Sequence, residues 1–91
     1  MNDDAIQNQI ERLSGWSYTD GMIRKTYTFN DFTQAVAWTV RVAFLAEAHG
    51  HHPDIDIRYN RVTLALVTHD AGNQVTQKDV DLAQAIEQLG D

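Results

Sequence analysis

The chain has 91 residues, of which 43% are hydrophobic and 22% are charged, and its formal net charge at pH 7 is −6. This length predicts one small domain over residues 1–91, with a core so small that self-association would add useful burial. The negative charge argues against direct binding of nucleic acid, which requires clustered lysine and arginine. The absence of cysteine excludes disulfides and thiolate chemistry and is compatible with a reducing cytosol.

The sequence carries no recognisable secretion or membrane signal. Residues 1–4 are acidic and lack the basic and apolar regions of a signal peptide. The longest wholly apolar run, residues 42–46, is far too short to cross a membrane. We therefore expect a cytoplasmic protein that does not contact membranes.

The first third of the chain predicts a helix followed by a hairpin. Residues 4–13 carry isoleucine and leucine at helical spacing, which favours a short helix with one apolar stripe. Two β-prone segments, residues 16–18 and 22–29, follow it. Asp20 and Gly21 between them predict a type I′ turn, because that turn needs positive φ at both central positions.

A long helix is predicted over residues 31–49, with Asn30 or Asp31 able to cap its N-terminus. Its apolar residues form two faces, which is more than the usual single stripe. One face carries Phe32, Val36, Val40 and Ala43, and the other carries Ala35, Trp38, Val42 and Leu45. In so small a domain, we expect the second face to meet another subunit.

The end of this helix places two histidines in a defined position. Gly50 suits the left-handed conformation just past a helix C-terminus, and Pro53 prevents the helix from resuming. His51 and His52 are therefore expected immediately after the helix.

A second hairpin is predicted next, with strands over residues 55–59 and 62–68 joined by a turn at Asn60 and Arg61. This register places residue 54 near residue 67, so that His69 is about level with His52. Three of the four histidines can thus converge at one rim of the sheet.

Thr76 and Asp79 resemble a capping box at the start of the final helix. Apolar residues at helical spacing follow at Val80, Ala83, Ile86 and Leu89. The predicted order is α-β-β-α-β-β-α, for which a four-stranded antiparallel sheet with helices on one face is the natural α+β fold.

Three interpretations of the histidines are open. They could be ordinary loop residues, they could bind zinc or copper, or they could transfer protons, since imidazole titrates near neutral pH. Convergence of three histidines favours a site over chance. The extended backbone expected before Pro53 sends the side chains of His51 and His52 in different directions, which disfavours a shared metal. Acid/base chemistry is the preferred interpretation.

Other polar and aromatic residues have simpler explanations as well as functional ones. Glu47 lies four residues before His51, where helical spacing could let it orient the imidazole or bind a ligand, although a solvated acid is equally consistent. Asp79 is explained as a capping residue. Trp16 and Trp38 are expected in the core.

A series of motifs across residues 16–89 resembles the pterin-4a-carbinolamine dehydratases. The motifs are Glu47 with His51, His52 and Pro53, then Tyr59-Asn60-Arg61-Val62, then Thr68-His69-Asp70, and then the segment from Thr76 to Asp79 with Leu82 and Ala83. Phe29, Phe32 and Trp38 around the start of the long helix also resemble that family.

The resemblance implies a dehydratase that converts 4a-hydroxytetrahydropterin to quinonoid dihydropterin in tetrahydrobiopterin recycling, without metal or cofactor. It implies that His51 and His69 are acid and base and that His52 and Glu47 hold the pterin, with Pro53 fixing the backbone. The implied catalytic set is His51, His52 and His69, and the implied substrate-binding set is Glu47, Pro53 and Asp79. A homodimer or homotetramer is also implied.

One departure from the family pattern lies after His69. The segment from Gly72 to Thr76 is one residue longer than in many members, so altered surroundings of His69 and Asp79 are expected. The family also includes members that resemble dimerisation cofactors and assembly factors, so a non-catalytic binding protein is the alternative function.

Overall fold

The computed structural model describes residues 3–90, and its elements follow the predicted order. The helices are α1 (Asp3–Glu11), α2 (Phe32–His49) and α3 (Gln77–Glu87), and the strands are β1 (Ser17–Thr19), β2 (Met22–Thr28), β3 (Asp54–Arg58) and β4 (Arg61–Leu66). Residues 1 and 2, which contributed to the expectation of no signal peptide, lie outside the described residues. Within residues 3–90, no helix is long and apolar enough to span a bilayer.

The four strands form one antiparallel sheet in the order β1-β2-β4-β3. Strand alternation places Ile23, Val62 and Leu64 on one face, where all three are fully buried in the core with residues of the helices. On the opposite face the hydroxyls of Thr26 and Thr63 hydrogen-bond at 2.8 Å near solvent. The predicted α+β fold, with helices on one face, is confirmed.

The first hairpin follows its sequence signal. Asp20 and Gly21 have φ angles of 55° and 76°, both positive as a type I′ turn requires. Thr19 pairs with Met22 across them. The prediction of this turn is confirmed.

The turn of the second hairpin lies one residue earlier than predicted. Tyr59 and Asn60 form it, and Arg58 pairs with Arg61. Asn60 is held from outside the hairpin, since its carbonyl accepts the N–H of Phe29 at 2.8 Å and its side-chain amide donates to the Phe29 carbonyl at 2.9 Å. These bonds fix the turn even though Tyr59 adopts a φ of 52°, which is uncommon for a bulky residue.

The register of that hairpin consequently differs from the prediction by two residues. Asp54 pairs with Ala65 and not with Val67, and β4 ends at Leu66. A shift of two leaves the same side chains facing the helices, because side chains alternate with a period of two. The hydrophobic pattern therefore could not distinguish the two registers.

Helix α2 has one buried face and one exposed face. Asp31 caps it by accepting the N–H of Gln34 at 2.8 Å. Its buried residues are Ala35, Trp38, Val42 and Ala46. The opposite face remains exposed at Phe32, Val40 and Phe44.

A polar cluster between α3 and β2 was not predicted. The Glu87 carboxylate accepts hydrogen bonds from Lys25 at 2.8 Å, from the Tyr27 hydroxyl, and from the Trp16 indole at 3.3 Å. Burial, followed by the bond to Glu87 and its charge, raises the pKa of the Tyr27 hydroxyl far above its ordinary value. Burial alone would raise the pKa of the Glu87 carboxyl, but the Lys25 and Tyr27 bonds outweigh it and lower that pKa.

Candidate active site

The chain leaves α2 through a Schellman motif, which fixes where the histidine segment begins. Gly50 has a φ of 62°, in the left-handed region. Its N–H donates to the Glu47 carbonyl at 3.2 Å, and the N–H of His51 donates to the Ala46 carbonyl at 3.1 Å. The predicted role of Gly50 is confirmed, and the backbone of His51 is tied to the end of α2.

The side chain of His51 turns inward to Asp79. Its Nε2 hydrogen-bonds to Oδ1 of Asp79, and the two side chains are 11% and 0% exposed. An ionised carboxylate only accepts hydrogen bonds, so Nε2 of His51 carries the hydrogen. In the neutral imidazole, Nδ1 is then the nitrogen with the free lone pair.

Asp79 is itself held by a network that joins the end of β4 to the start of α3. The capping box predicted from the sequence is present, with the N–H of Thr76 donating to Oδ2 of Asp79 at 2.9 Å. The hydroxyl of Thr68 donates to the same oxygen at 2.7 Å and contacts the Thr76 hydroxyl at 2.7 Å. These donors orient the carboxylate toward His51, a second role that the capping signal did not reveal.

His52 points the other way and remains near the surface. Its Nε2 hydrogen-bonds to Oε1 of Glu47 at 3.1 Å, and the two side chains are 63% and 78% exposed. The helical spacing of four residues predicts that Glu47 lies beside His51, and this prediction is wrong. The left-handed turn at Gly50 ends the helical geometry on which that assignment depended, so Glu47 orients His52 instead. Pro53 is half-buried and leads directly into β3.

His69 begins a short 3₁₀ helix, His69–Ala71, that follows β4. Its Nδ1 lies 2.8 Å from the side-chain oxygen of Asn73. His51, His52 and His69 line one cavity of about 210 Å³. The other lining residues are Gly50, Val67, Thr68, Asp70 and Lys78. The structure therefore brings together the three histidines that the sequence singled out.

The segment from Gly72 to Thr76 does not separate Asp79 from the site. Thr68 and Gln74 pair across the loop, which places Thr76 and α3 directly beside the end of β4. Sequence reasoning included Thr68 and Lys78 only as members of the family motifs, and it assigned no individual role to Thr68, Asn73 or Lys78. Thr68 and Lys78 each stand next to a predicted site residue, and that adjacency was the available signal for them.

This arrangement suits proton transfer. Each of the three imidazoles has one ring nitrogen bonded to a side-chain oxygen, which leaves the other ring nitrogen available to exchange a proton with a ligand. Those oxygens belong to three different residues. In the part of the chain that the structure describes, no three His, Asp or Glu side chains converge as they would around a metal ion.

Known proteins match this sequence over nearly the whole chain. Residues 1–89 match the family described as Pterin 4 alpha carbinolamine dehydratase. A Roseiflexus sp. (strain RS-1) protein, provisionally named a pterin-4-alpha-carbinolamine dehydratase, is 52% identical over 98% of this chain and 95% of its own length. A relative with the same provisional name from Chloroflexus aurantiacus (strain ATCC 29366 / DSM 635 / J-10-fl) is 49% identical over the same shares.

Solved structures show the same fold. The crystal structure of a transcriptional coactivator/pterin dehydratase from Brucella melitensis has a TM-score of 0.90 and 29% identity, covering 100% of this chain and 98% of that one. A pterin dehydratase-like protein described as a RuBisCO assembly factor in the alpha-carboxysome has a TM-score of 0.65 and 21% identity, covering 81% and 84%. With the family match and the relatives above, these results establish that the chain belongs to the pterin-4a-carbinolamine dehydratase family.

Proposed function

We propose that this protein removes water from 4a-hydroxytetrahydropterin to give quinonoid dihydropterin, by histidine acid/base catalysis in tetrahydrobiopterin recycling. One observation carries the proposal, namely that three histidines with hydrogen-bonded rings line a single cavity. Membership of the dehydratase family supports the pterin as substrate. The whole chain, residues 1–91, would act as one domain in the cytoplasm.

The chemistry needs one acid and one base. The acid donates a proton to the hydroxyl on C4a, and the C4a–O bond breaks to release water. The base removes the proton from N5, and the electron pair of that N–H bond forms the N5–C4a double bond. Protons and electrons balance without an external oxidant or reductant, and two groups that titrate near neutral pH suffice.

We assign His51 and His69 as the acid and base, because they line the cavity on different elements. His52 belongs to the catalytic set and, with Glu47 and the backbone fixed by Pro53, orients the flat pterin from the exposed side. Asp79 is fully buried and bonds to His51, so it would serve the substrate site through that ring.

The test follows the decay of enzymatically generated 4a-hydroxytetrahydropterin by absorbance. The protein should accelerate the decay, and His51→Ala and His69→Ala should each lower the rate by roughly 10² to 10⁴, the usual contribution of a positioned acid or base. His49→Ala is the matched control, because His49 is exposed at the end of α2 and does not line the cavity. No acceleration by the protein, or full acceleration by both variants, would reject the proposal.

A non-catalytic binding role is the second candidate, and the exposed face of α2 favours it. Phe44 is 74% exposed, Phe32 54% and Val40 50%, which is unusual for large apolar side chains along one helix. The same face is the surface through which we propose a homodimer or homotetramer. Partner binding that survives in the His51→Ala, His69→Ala double variant would support a role separate from catalysis.

Light scattering tests the assembly. We expect the wild-type mass to be that of a dimer or tetramer, and Phe44→Lys to shift it toward the monomer because a charge cannot be buried there. Gln84→Lys places the same charge on an exposed residue of α3, on a different helix from the apolar face, and should leave the mass unchanged. A monomeric wild-type mass would reject self-association.

A further inference from the structure

The loop that carries His69 is closed and internally bonded. The N–H of Thr68 donates to the Gln74 carbonyl at 2.9 Å, and the N–H of Gln74 donates to the Thr68 carbonyl at 3.3 Å. Inside this pair, the N–H groups of Gly72 and Asn73 donate to the His69 carbonyl at 3.1 and 3.4 Å. The backbone positions of His69 and Asn73 are thereby set relative to each other.

Asn73 adopts a conformation that few side chains tolerate. Its φ is 58°, in the left-handed region, which asparagine occupies more readily than most residues other than glycine. In this conformation its side-chain oxygen lies 2.8 Å from Nδ1 of His69. An amide oxygen accepts hydrogen bonds, so Nδ1 of His69 carries the hydrogen when the imidazole is neutral.

We propose that Asn73 is a positioning residue that holds neutral His69 in the Nδ1–H tautomer. Nε2 is then the ring nitrogen that exchanges a proton with the substrate, a consequence that rests on the proposed function. Both side chains are exposed, so water competes for Nδ1. The backbone bonds of the loop favour the Asn73 amide over water, because they already hold the Asn73 oxygen and Nδ1 of His69 close together.

Nitrogen-15 NMR of the histidine rings tests the tautomer without any activity measurement. The spectra are recorded at a pH where His69 is neutral, on the wild type and on Asn73→Gly, Asn73→Asp and Gln74→Ala. Glycine accepts the positive φ but has no acceptor, whereas aspartate keeps an acceptor at the same reach. The Gln74 side chain is exposed, and only its backbone closes the loop, so Gln74→Ala is the matched control.

We expect the Nδ1–H form of His69 in the wild type, in Asn73→Asp and in Gln74→Ala. Asn73→Gly should move the population toward the Nε2–H form. A wild-type His69 with its hydrogen on Nε2, or an unchanged tautomer in Asn73→Gly, would overturn the inference. Neither result depends on whether the protein is a dehydratase.

The dehydratase assay then tests the catalytic consequence. Asn73→Gly should lower kcat roughly 10-fold, the lower end of the effects seen when a residue that orients a functional histidine is lost. KM should stay unchanged because Asn73 does not line the cavity. Asn73→Asp should restore most of kcat. A switched tautomer with unchanged kcat would overturn the assignment of Nε2, whereas an inactive wild type would reject the proposed function and leave the tautomer result standing.

Discussion

The two ends of α3 each hold a carboxylate that accepts several hydrogen bonds, but the partners differ, and Asp79 is fully buried whereas the Glu87 side chain is 25% exposed. At the N-terminal end, Asp79 accepts hydrogen bonds from His51, the Thr68 hydroxyl and the Thr76 N–H. At the C-terminal end, Glu87 accepts hydrogen bonds from Lys25, Tyr27 and Trp16. Each carboxylate therefore joins α3 to other elements of the fold through three donors.

The difference lies in the type of side chain that bonds to each carboxylate and in its position relative to the cavity. His51 carries an imidazole, the side-chain type that ordinarily serves in proton exchange, and it lines the cavity. Lys25 and Tyr27 do not line the cavity, and the raised pKa of Tyr27 keeps that hydroxyl protonated. The comparison shows that a bonded carboxylate takes its role from its partner. With an imidazole at a cavity it can orient the ring for the proposed proton exchange, and with lysine and tyrosine it joins α3 to the sheet.

Among changes at the two ends of α3, the largest effect is expected for Asp79→Asn. In Asp79 one carboxylate oxygen accepts from His51 and the other from Thr68, whereas asparagine has only one side-chain oxygen. The imidazole of His51 therefore either loses its acceptor or changes tautomer. We predict a fall in kcat of roughly 10- to 100-fold in the dehydratase assay. The unfolding free energy should also fall by about 1 kcal/mol because the capping box is weakened. A wild-type kcat in this variant would contradict the assigned role of Asp79.

Glu87→Gln makes the matching change at the other end of α3. The bond to the Lys25 ammonium loses its opposite charge, so the unfolding free energy at pH 7 should fall by about 1–2 kcal/mol. Because Glu87 does not line the cavity, kcat should remain that of the wild type. Urea unfolding and the dehydratase assay measure the two quantities, and a large loss of kcat with intact folding would remove the contrast between the two ends.

The stabilisation by Glu87 should be lost at acid pH. Burial alone would raise the pKa of this carboxyl, but the Lys25 and Tyr27 bonds lower it below the ordinary value of 4.5. A carboxyl with a lowered pKa in the folded state stabilises the protein above the unfolded value, and that stabilisation is lost as pH falls through the folded value. The difference in unfolding free energy between wild type and Glu87→Gln should therefore shrink as the pH falls below about 4.5. A difference that stays constant down to pH 2 would show that the stabilisation does not come from the ionised Glu87 carboxylate.

The smallest effect is expected for Tyr27→Phe. It removes one donor to Glu87 and leaves Lys25 and Trp16 in place. The unfolding free energy at pH 7 should fall by about 0.5–1 kcal/mol, the net value of one hydrogen bond, with kcat unchanged. Denaturant unfolding measures this fall. A loss larger than that of Glu87→Gln would contradict the expected ranking, because phenylalanine keeps the ring packing and removes only the hydroxyl.

Much of the fold could be predicted because its signals are local. The turn at Asp20 and Gly21, the left-handed Gly50 and the capping box of Thr76 with Asp79 each depend on residues within a few positions of one another. The hairpin register could not be predicted, because a shift of two residues keeps the alternation intact. It was set by the bonds between Asn60 and Phe29, which are 31 residues apart.

For the candidate site, the sequence determined which residues are available and where the chain would place them. It identified the histidine segment after α2, the proline behind it and a third histidine after β4. Only the tertiary structure decided their partners, since His51 reaches Asp79 across 28 residues and Glu87 reaches Lys25 across 62. The physical reason is that capping and turn preferences act along the backbone, whereas the partner of a buried carboxylate depends on how separate elements pack.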